Sequence, residues 1–106
     1  MKLDNVFQSL PADLSQEHFD TLFDKPGCKI ERIVSYGQVT PEGECYDQEQ
    51  DEFVLILQGA ATIDYLDTKQ TFSLQPGDHL LIPAGVRHRV SWTDPVSATI
   101  WLAVFC

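Results

Sequence analysis

The chain has 106 residues, a length that suits one small domain and leaves no room for a second of similar size. Its formal net charge is −9, which disfavours binding to nucleic acid or to an anionic membrane through a basic surface. The hydrophobic fraction of 43% is too high for a disordered chain, and no apolar run reaches the length of a membrane span. These values predict a single folded domain, residues 1–106, without nucleic-acid or membrane partners.

The first segment carries the start and stop signals of a helix. In "LPADLSQEHFDTLF", Pro11 and Asp13 suit a helix start, and the following "DKPG" suits its end. We therefore predict a short N-terminal helical segment within residues 1–26, packed on a β-barrel that is formed by residues 27–106.

From residue 28 onward the chain consists of short strand-like runs. "CKIERIVSYG" alternates, with Glu31 and Ile33 on one face and Arg32 and Val34 on the other. Turn residues separate the later runs, which are "DEFVLILQG", "AATIDYL", "TFSLQPG", "DHLLIP", "RHRVSW" and "SATIWLAVF". Many short strands with no helix between them favour an antiparallel all-β fold, a sandwich or a barrel.

Two of these runs, "FVLIL" and "TIWLAVF", are apolar on both faces. The interior of a small barrel needs only one apolar face per strand, so the other face also has to be covered. The N-terminal segment and nearby loops are one candidate cover. We favour a homodimer, because a large exposed apolar patch is rare on a monomer.

The cysteines and the N-terminal sequence indicate the cellular compartment in which the protein is expected. Cys28, Cys45 and Cys106 have no CxxC spacing, and "MKLDNVFQSL" lacks the long apolar core of a signal peptide. An odd number of cysteines without an export signal is typical of reduced thiols in a cytoplasm. We therefore expect a cytoplasmic protein.

Two sequence motifs mark the candidate site. "GDHLLIPAGVRHRV" fits G-x5-P-x-G-x2-H and ends at His88, and "EFVLILQG" fits E-x6-G and begins at Glu52. Together they resemble the two signature motifs of the RmlC-like cupin superfamily, and the wider sequence is similar to small single-domain cupins without an assigned reaction. The resemblance implies a double-stranded β-helix, the cupin jelly-roll barrel, in which Glu52 and His88 converge inside.

The resemblance weakens at the metal ligands. Metal-binding members of the family have H-x-H followed, after three or four residues, by Glu. Counting back from Glu52, the two histidine positions hold Tyr46 and Gln48 with the shorter spacing, or Cys45 and Asp47 with the longer one. The usual set of three histidines and one glutamate is therefore incomplete, and Trp92 stands where the family's second motif closes with Asn.

Two interpretations of the site stay open. The first is a pocket that binds a small molecule without metal and is lined by Tyr46, Gln48, Glu52, His88 and Trp92. The second is a weak site for a divalent metal (Fe, Mn, Ni or Zn), with its ligands drawn from Glu52, His88, Gln48 and His79. The second would make the protein a metal-dependent enzyme of dioxygenase, isomerase or lyase type. The missing histidines favour the first, and the sequence does not decide whether the protein is an enzyme.

Overall fold

The computed structural model describes residues 3–106, and its regular secondary structure is entirely β. The strands are β1 (His18–Lys25), β2 (Cys28–Ser35), β3 (Glu52–Gln58), β4 (Ala61–Tyr65), β5 (Thr71–Leu74), β6 (His79–Ile82), β7 (His88–Thr93) and β8 (Thr99–Phe105). They pair antiparallel in a five-stranded sheet of order β1-β2-β8-β3-β6 and a three-stranded sheet of order β5-β4-β7. The expected all-β jelly roll is confirmed.

The expected N-terminal helix is wrong, since no helix occurs in residues 3–106. The Asp13 carboxylate accepts a hydrogen bond from the Ser15 backbone N–H at 2.9 Å, which makes a local turn in place of a helix start. The residues that follow form β1, which pairs with β2 through a tight turn at Pro26 and Gly27. Seven cross-strand pairs with β2 outweigh the weak local preference for helix.

The irregular segment before β1 packs on the outer face of β2. Arg32 lies there, buried, and its guanidinium donates to three backbone carbonyls at 2.7 to 3.2 Å, those of Val6, Gln8 and Ser9. It also pairs with Asp20 of β1. A buried guanidinium needs such acceptors, because an unpaired buried charge is costly. Arg32 therefore fastens this segment to the sheet.

No helix of the described residues could cross a membrane.

The core lies between the two sheets, which both contribute their inner faces to it. Along β3, every second residue from Glu52 to Ile56 is buried, while Phe53, Leu55 and Leu57 face outward and are only partly buried. The apolar core consists of Ile33, Val54, Ile56, Ala61, Ile63, Leu74, Ile82, Trp101 and Ala103. Strand alternation thus carries one carboxylate, that of Glu52, into an apolar interior.

The outer faces of the two sheets differ in polarity. On the large sheet, the strand register aligns one apolar row across all five strands, made of Phe23, Ile30, Val104, Phe53 and Leu81. On the small sheet, the register places polar residues outward on β4 and β5, namely Thr62, Asp64, Thr71 and Ser73. Leu81 is 57% exposed. The small sheet is suited to water, and the large one leaves apolar surface uncovered.

The turn after β3 gives the first prediction. Gly59 has a φ of 84°, and a Cβ added there would lie 2.4 Å from Thr99 Oγ1 and 2.7 Å from Thr99 Cα. Gly59→Ala should lower the free energy of unfolding by more than the ~1–2 kcal/mol that the left-handed backbone alone costs. Gly77→Ala is the matched control, because Gly77 has a φ of 92° with open space around its Cβ position. Urea denaturation measures both variants, and equal losses would contradict the steric argument.

Candidate functional site

A cavity lies between the sheets, with a volume of about 60 Å³, or about 490 Å³ when the empty space up to open solvent is included. Its apolar wall includes side chains from both sheets, among them Ile33, Val54, Ile63, Ile82 and Trp101. Its polar groups are Glu17, Glu31, Tyr46, Gln48, Glu52 and His88. An apolar wall with a few convergent polar groups is the usual composition of a small-molecule site.

Glu52 and His88 meet inside this cavity. His88 Nε2 lies 3.3 Å from Glu52 Oε1, and the side chains are only 5% and 10% exposed, respectively. His88 begins β7 and Glu52 begins β3, so backbone pairing determines which way each side chain points. The other ring nitrogen of His88, Nδ1, is 2.9 Å from the carbonyl oxygen of Val86. A carbonyl oxygen only accepts, so Nδ1 carries a hydrogen and donates.

The contact between His88 and Glu52 requires a second proton on the imidazole, at Nε2. With Nδ1 protonated, a neutral imidazole would present the Nε2 lone pair to a carboxylate oxygen, which also only accepts. Burial lowers the pKa of His88, but the hydrogen bonds to Glu52 and Val86, with the charges of Glu52 and Asp47, outweigh burial and raise the pKa above its ordinary value. A charged imidazolium that donates to Glu52 satisfies both groups.

Tyr46 and Gln48 complete the polar cluster. Tyr46 exchanges two backbone hydrogen bonds with His88, at 2.7 and 3.0 Å, and stacks its ring on the imidazole with centroids 5.6 Å apart. Gln48 Nε2 donates to Glu52 Oε1 at 3.2 Å. Burial, followed by the charges of Glu17 and Glu52, raises the pKa of Tyr46. The phenol therefore keeps its proton and can act as a hydrogen-bond donor.

Two further carboxylates reach the cavity, and the sequence motifs do not point to either. Glu17 lies just before β1, where it accepts a hydrogen bond from the Ser35 hydroxyl at 2.7 Å. Burial raises the pKa of Glu17, and the Ser35 hydrogen bond partly offsets this. Glu31 of β2 pairs with Lys29 Nζ at 3.1 Å. The alternation of "CKIERIVS" does place Glu31 on the Ile33 face, but only the structure shows that this face is inward.

His79 and Trp92, two expected site residues, lie outside the cavity. His79 sits opposite Leu55 on the outer face of the large sheet, with its ring 5.4 Å from that of Phe53. Trp92 is 44% exposed and pairs with Thr62 on the outer face of the small sheet. The register of β7 shifts between Val90 and Trp92, a β-bulge that reverses the inward and outward alternation. Neither residue can therefore join Glu52 and His88.

The residues present do not fit a tight transition-metal site. Within residues 3–106, no group of three or more His, Cys, Asp or Glu side chains lies close enough together to hold a metal ion. The cavity supplies one imidazole and one carboxylate, with the amide nitrogen of Gln48 turned toward that carboxylate. Tyr46 is a poor ligand while its phenol stays protonated. Transition-metal sites need three or four good donors, which this cluster does not provide.

The fold and the cavity define a small jelly-roll barrel protein with a polar cluster in its interior. The chain belongs to the cupin superfamily, because the Cupin domain family matches residues 34–105. No curated protein matches the sequence.

Solved structures show the same barrel. A Ralstonia eutropha JMP134 protein, provisionally named a mannose-6-phosphate isomerase, is 43% identical over 100% of this chain and 98% of its own, with a TM-score of 0.94. A cupin superfamily protein from Desulfitobacterium hafniense DCB-2 is 24% identical over 91% and 82%, with a TM-score of 0.75. An RmlC-like cupin from Desulfovibrio desulfuricans is 17% identical over 99% and 96%, also with a TM-score of 0.75. The last two show likeness of fold alone.

The His88–Glu52 contact gives the second prediction. Glu52→Gln removes the charge that the imidazolium faces, so the pKa of His88 should fall, as burial then dominates. Asp47→Asn is the control, and it should lower the pKa less, because Asp47 acts on His88 only through its charge. NMR titration of the imidazole measures both shifts. A parent pKa at or below the ordinary value of ~6.5 would contradict the assignment.

Proposed function

We propose that this cupin binds a small, neutral or cationic molecule in its barrel cavity. The observation that carries the proposal is the Glu52–His88–Gln48 cluster, held inside an apolar wall and open to a ligand from the cavity side. Glu52 offers an acceptor, the phenol of Tyr46 offers a donor, and the apolar wall accommodates a hydrocarbon part.

The charge of the cavity decides which ligands it favours. Three carboxylates line it, those of Glu17, Glu31 and Glu52, and none of its fourteen described lining residues is Lys or Arg. Lys29 Nζ pairs with Glu31 and the His88 ring with Glu52, so an anion would compete with a carboxylate for each nearby cation, and no arginine lines the cavity as it often does in phosphate sites. This composition argues against carrying the sugar-phosphate activity in the relative's name over to this chain. The net charge of −9 also disfavours the approach of an anionic ligand.

A metal-dependent cupin enzyme is the second candidate. The 3.3 Å between His88 Nε2 and Glu52 Oε1 is short enough for both atoms to bind one ion, and that separation is what favours it. Glu52 and His88 would be its ligands, with Gln48 or Tyr46 beside the substrate. The donor count supports this candidate less well than it supports a binding protein. We also infer a cytoplasmic location, because cysteines that are free thiols and not structural disulfides are typical of that compartment.

The third prediction tests the ligand class by two-dimensional NMR. Ethylammonium should shift the resonances of cavity residues, and mannose 6-phosphate and inorganic phosphate should not. Glu52→Gln should weaken ethylammonium binding by about tenfold or more, since it removes the carboxylate that would receive the ammonium group. His79→Ala is the matched control, because this histidine faces outward, and it should leave binding unchanged.

Two results would contradict the proposal. One is binding of mannose 6-phosphate, but not of ethylammonium, in the cavity. The other is one Fe, Mn, Ni or Zn per chain in untagged protein, lost in His88→Ala and kept in His79→Ala, which would establish the metal enzyme instead.

We further propose that the protein is a homodimer whose subunits meet through the outer face of the large sheet. The outward positions of its β3, β6 and β8 strands that are at least partly exposed carry no carboxylate; they include Phe53, Leu55, Leu57, His79, Leu81, Leu102 and Val104. Two chains of net charge −9 repel each other, so a second copy docks best where carboxylates are absent. The polar outer face of the small sheet offers no comparable surface.

The fourth prediction follows from this face. Leu81→Asp should convert a dimer to a monomer, because it places a charge in the apolar row of both subunits while Leu81 itself is exposed enough for the fold to survive. Ser73→Asp, on the outer face of the small sheet, is the control and should remain dimeric. Sedimentation equilibrium measures the mass. A parent of one-chain mass at micromolar concentration would overturn the proposal.

A further inference from the structure

Two cysteines that the cavity does not use lie beside each other at the end of the large sheet. Cys28 Sγ and Cys106 Sγ are 3.3 Å apart although the residues are 78 positions apart in the sequence. The β2–β8 register, in which Lys29 faces Phe105, continues to set Cys28 opposite Cys106. Facing residues of antiparallel strands have Cα atoms ~4.5–5.5 Å apart, within the range that a disulfide bridges. The pair therefore needs little backbone movement to join.

We propose that Cys28 and Cys106 form a reversible disulfide that clamps β2 to β8. The oxidant is a low-molecular-weight disulfide. One cysteine thiolate attacks it, forming a mixed disulfide and releasing one small thiolate. The second cysteine thiolate then attacks the protein sulfur of the mixed disulfide and releases the other small thiolate. The protein loses two hydrogens, the small disulfide becomes two thiols, and the two protons leave the cysteines for those thiols.

Access and backbone support both favour this pair over the third cysteine. Cys106 is exposed and Cys28 partly so, which lets a small oxidant reach them. Cys106 is held in place by two backbone hydrogen bonds with Asp51, at 3.0 and 3.1 Å. The hydrogen bond with Cys28 raises the pKa of the Cys106 thiol, so exchange is slow at neutral pH and faster above it. Cys45 is exposed, and no other cysteine is paired with it.

The clamp would act on the edge of the cavity. Phe105, the residue before Cys106, lines the cavity and faces Lys29 on one side and Glu52 on the other. Oxidation would therefore hold the strand end beside Glu52 more rigidly. The inference does not rest on the proposed ligand, because the disulfide forms or fails to form independently of what the cavity binds.

The fifth prediction uses Cys45→Ser protein, which keeps only the pair. Incubation with glutathione disulfide should reduce the titratable thiols from two to none and lower the intact mass by two hydrogen atoms. Peptide mapping should join Cys28 to Cys106. The melting temperature should rise by on the order of 10 °C, since the bridge closes a long loop, and it should return with dithiothreitol.

The double variant Cys28→Ser/Cys45→Ser is the matched control, and its single thiol should take up glutathione without the thermal shift. Three results would overturn the proposal in the Cys45→Ser protein. They are stable mixed disulfides on both cysteines, covalent dimers as the main product, and an internal disulfide that leaves the melting temperature unchanged or lowers it. The oxidised and reduced forms of one protein are compared, so a folding defect in the double variant does not affect the test.

Discussion

The pairing of β3 with β8 on one edge and with β6 on the other is the constraint on which the site depends. Because side chains alternate along a strand, this pairing sends Glu52 inward and Phe53 outward together. A slip of one residue would expose the apolar core and withdraw the carboxylate from the cavity. The acidic interior and the apolar outer face of the large sheet are thus two consequences of one register.

The buried contact between Glu52 and His88 fits the proposed binding role better than it fits a role in stability. Removing two charged groups from water costs free energy, and their attraction often does no more than offset it relative to apolar residues of similar size. The cluster therefore stabilises the barrel little in net terms. It does place an acceptor and a donor where a ligand can reach them, and Gln48 holds the carboxylate in position.

The sequence predicts the strands well and the facing of individual residues less well. Strand-like alternation and turn residues predict β2 to β8, and the resemblance of the two motifs to the cupin signature implies that Glu52 and His88 converge, as they do. The sequence of β1 suggests a helix because the turn that joins it to its partner strand contains the same residues as a helix end. The expected inward facing of Trp92 is wrong because a bulge breaks the period of two, and the residue types of "RHRVSW" do not indicate that bulge. Glu17 reaches the cavity through tertiary packing alone.

The state of His88 links the stability of the barrel to the charge of its cavity. Because the folded pKa of His88 is raised, its contribution to stability is full below the unfolded value of ~6.5 and is lost as pH rises through the folded pKa. The same loss of a proton removes the one positive charge that faces Glu52 in the cavity. A cation then meets a more negative site, so affinity for it increases as the contribution of His88 to stability decreases. A pH below the folded pKa of His88 therefore favours the fold, and a pH above it favours binding of a cationic ligand.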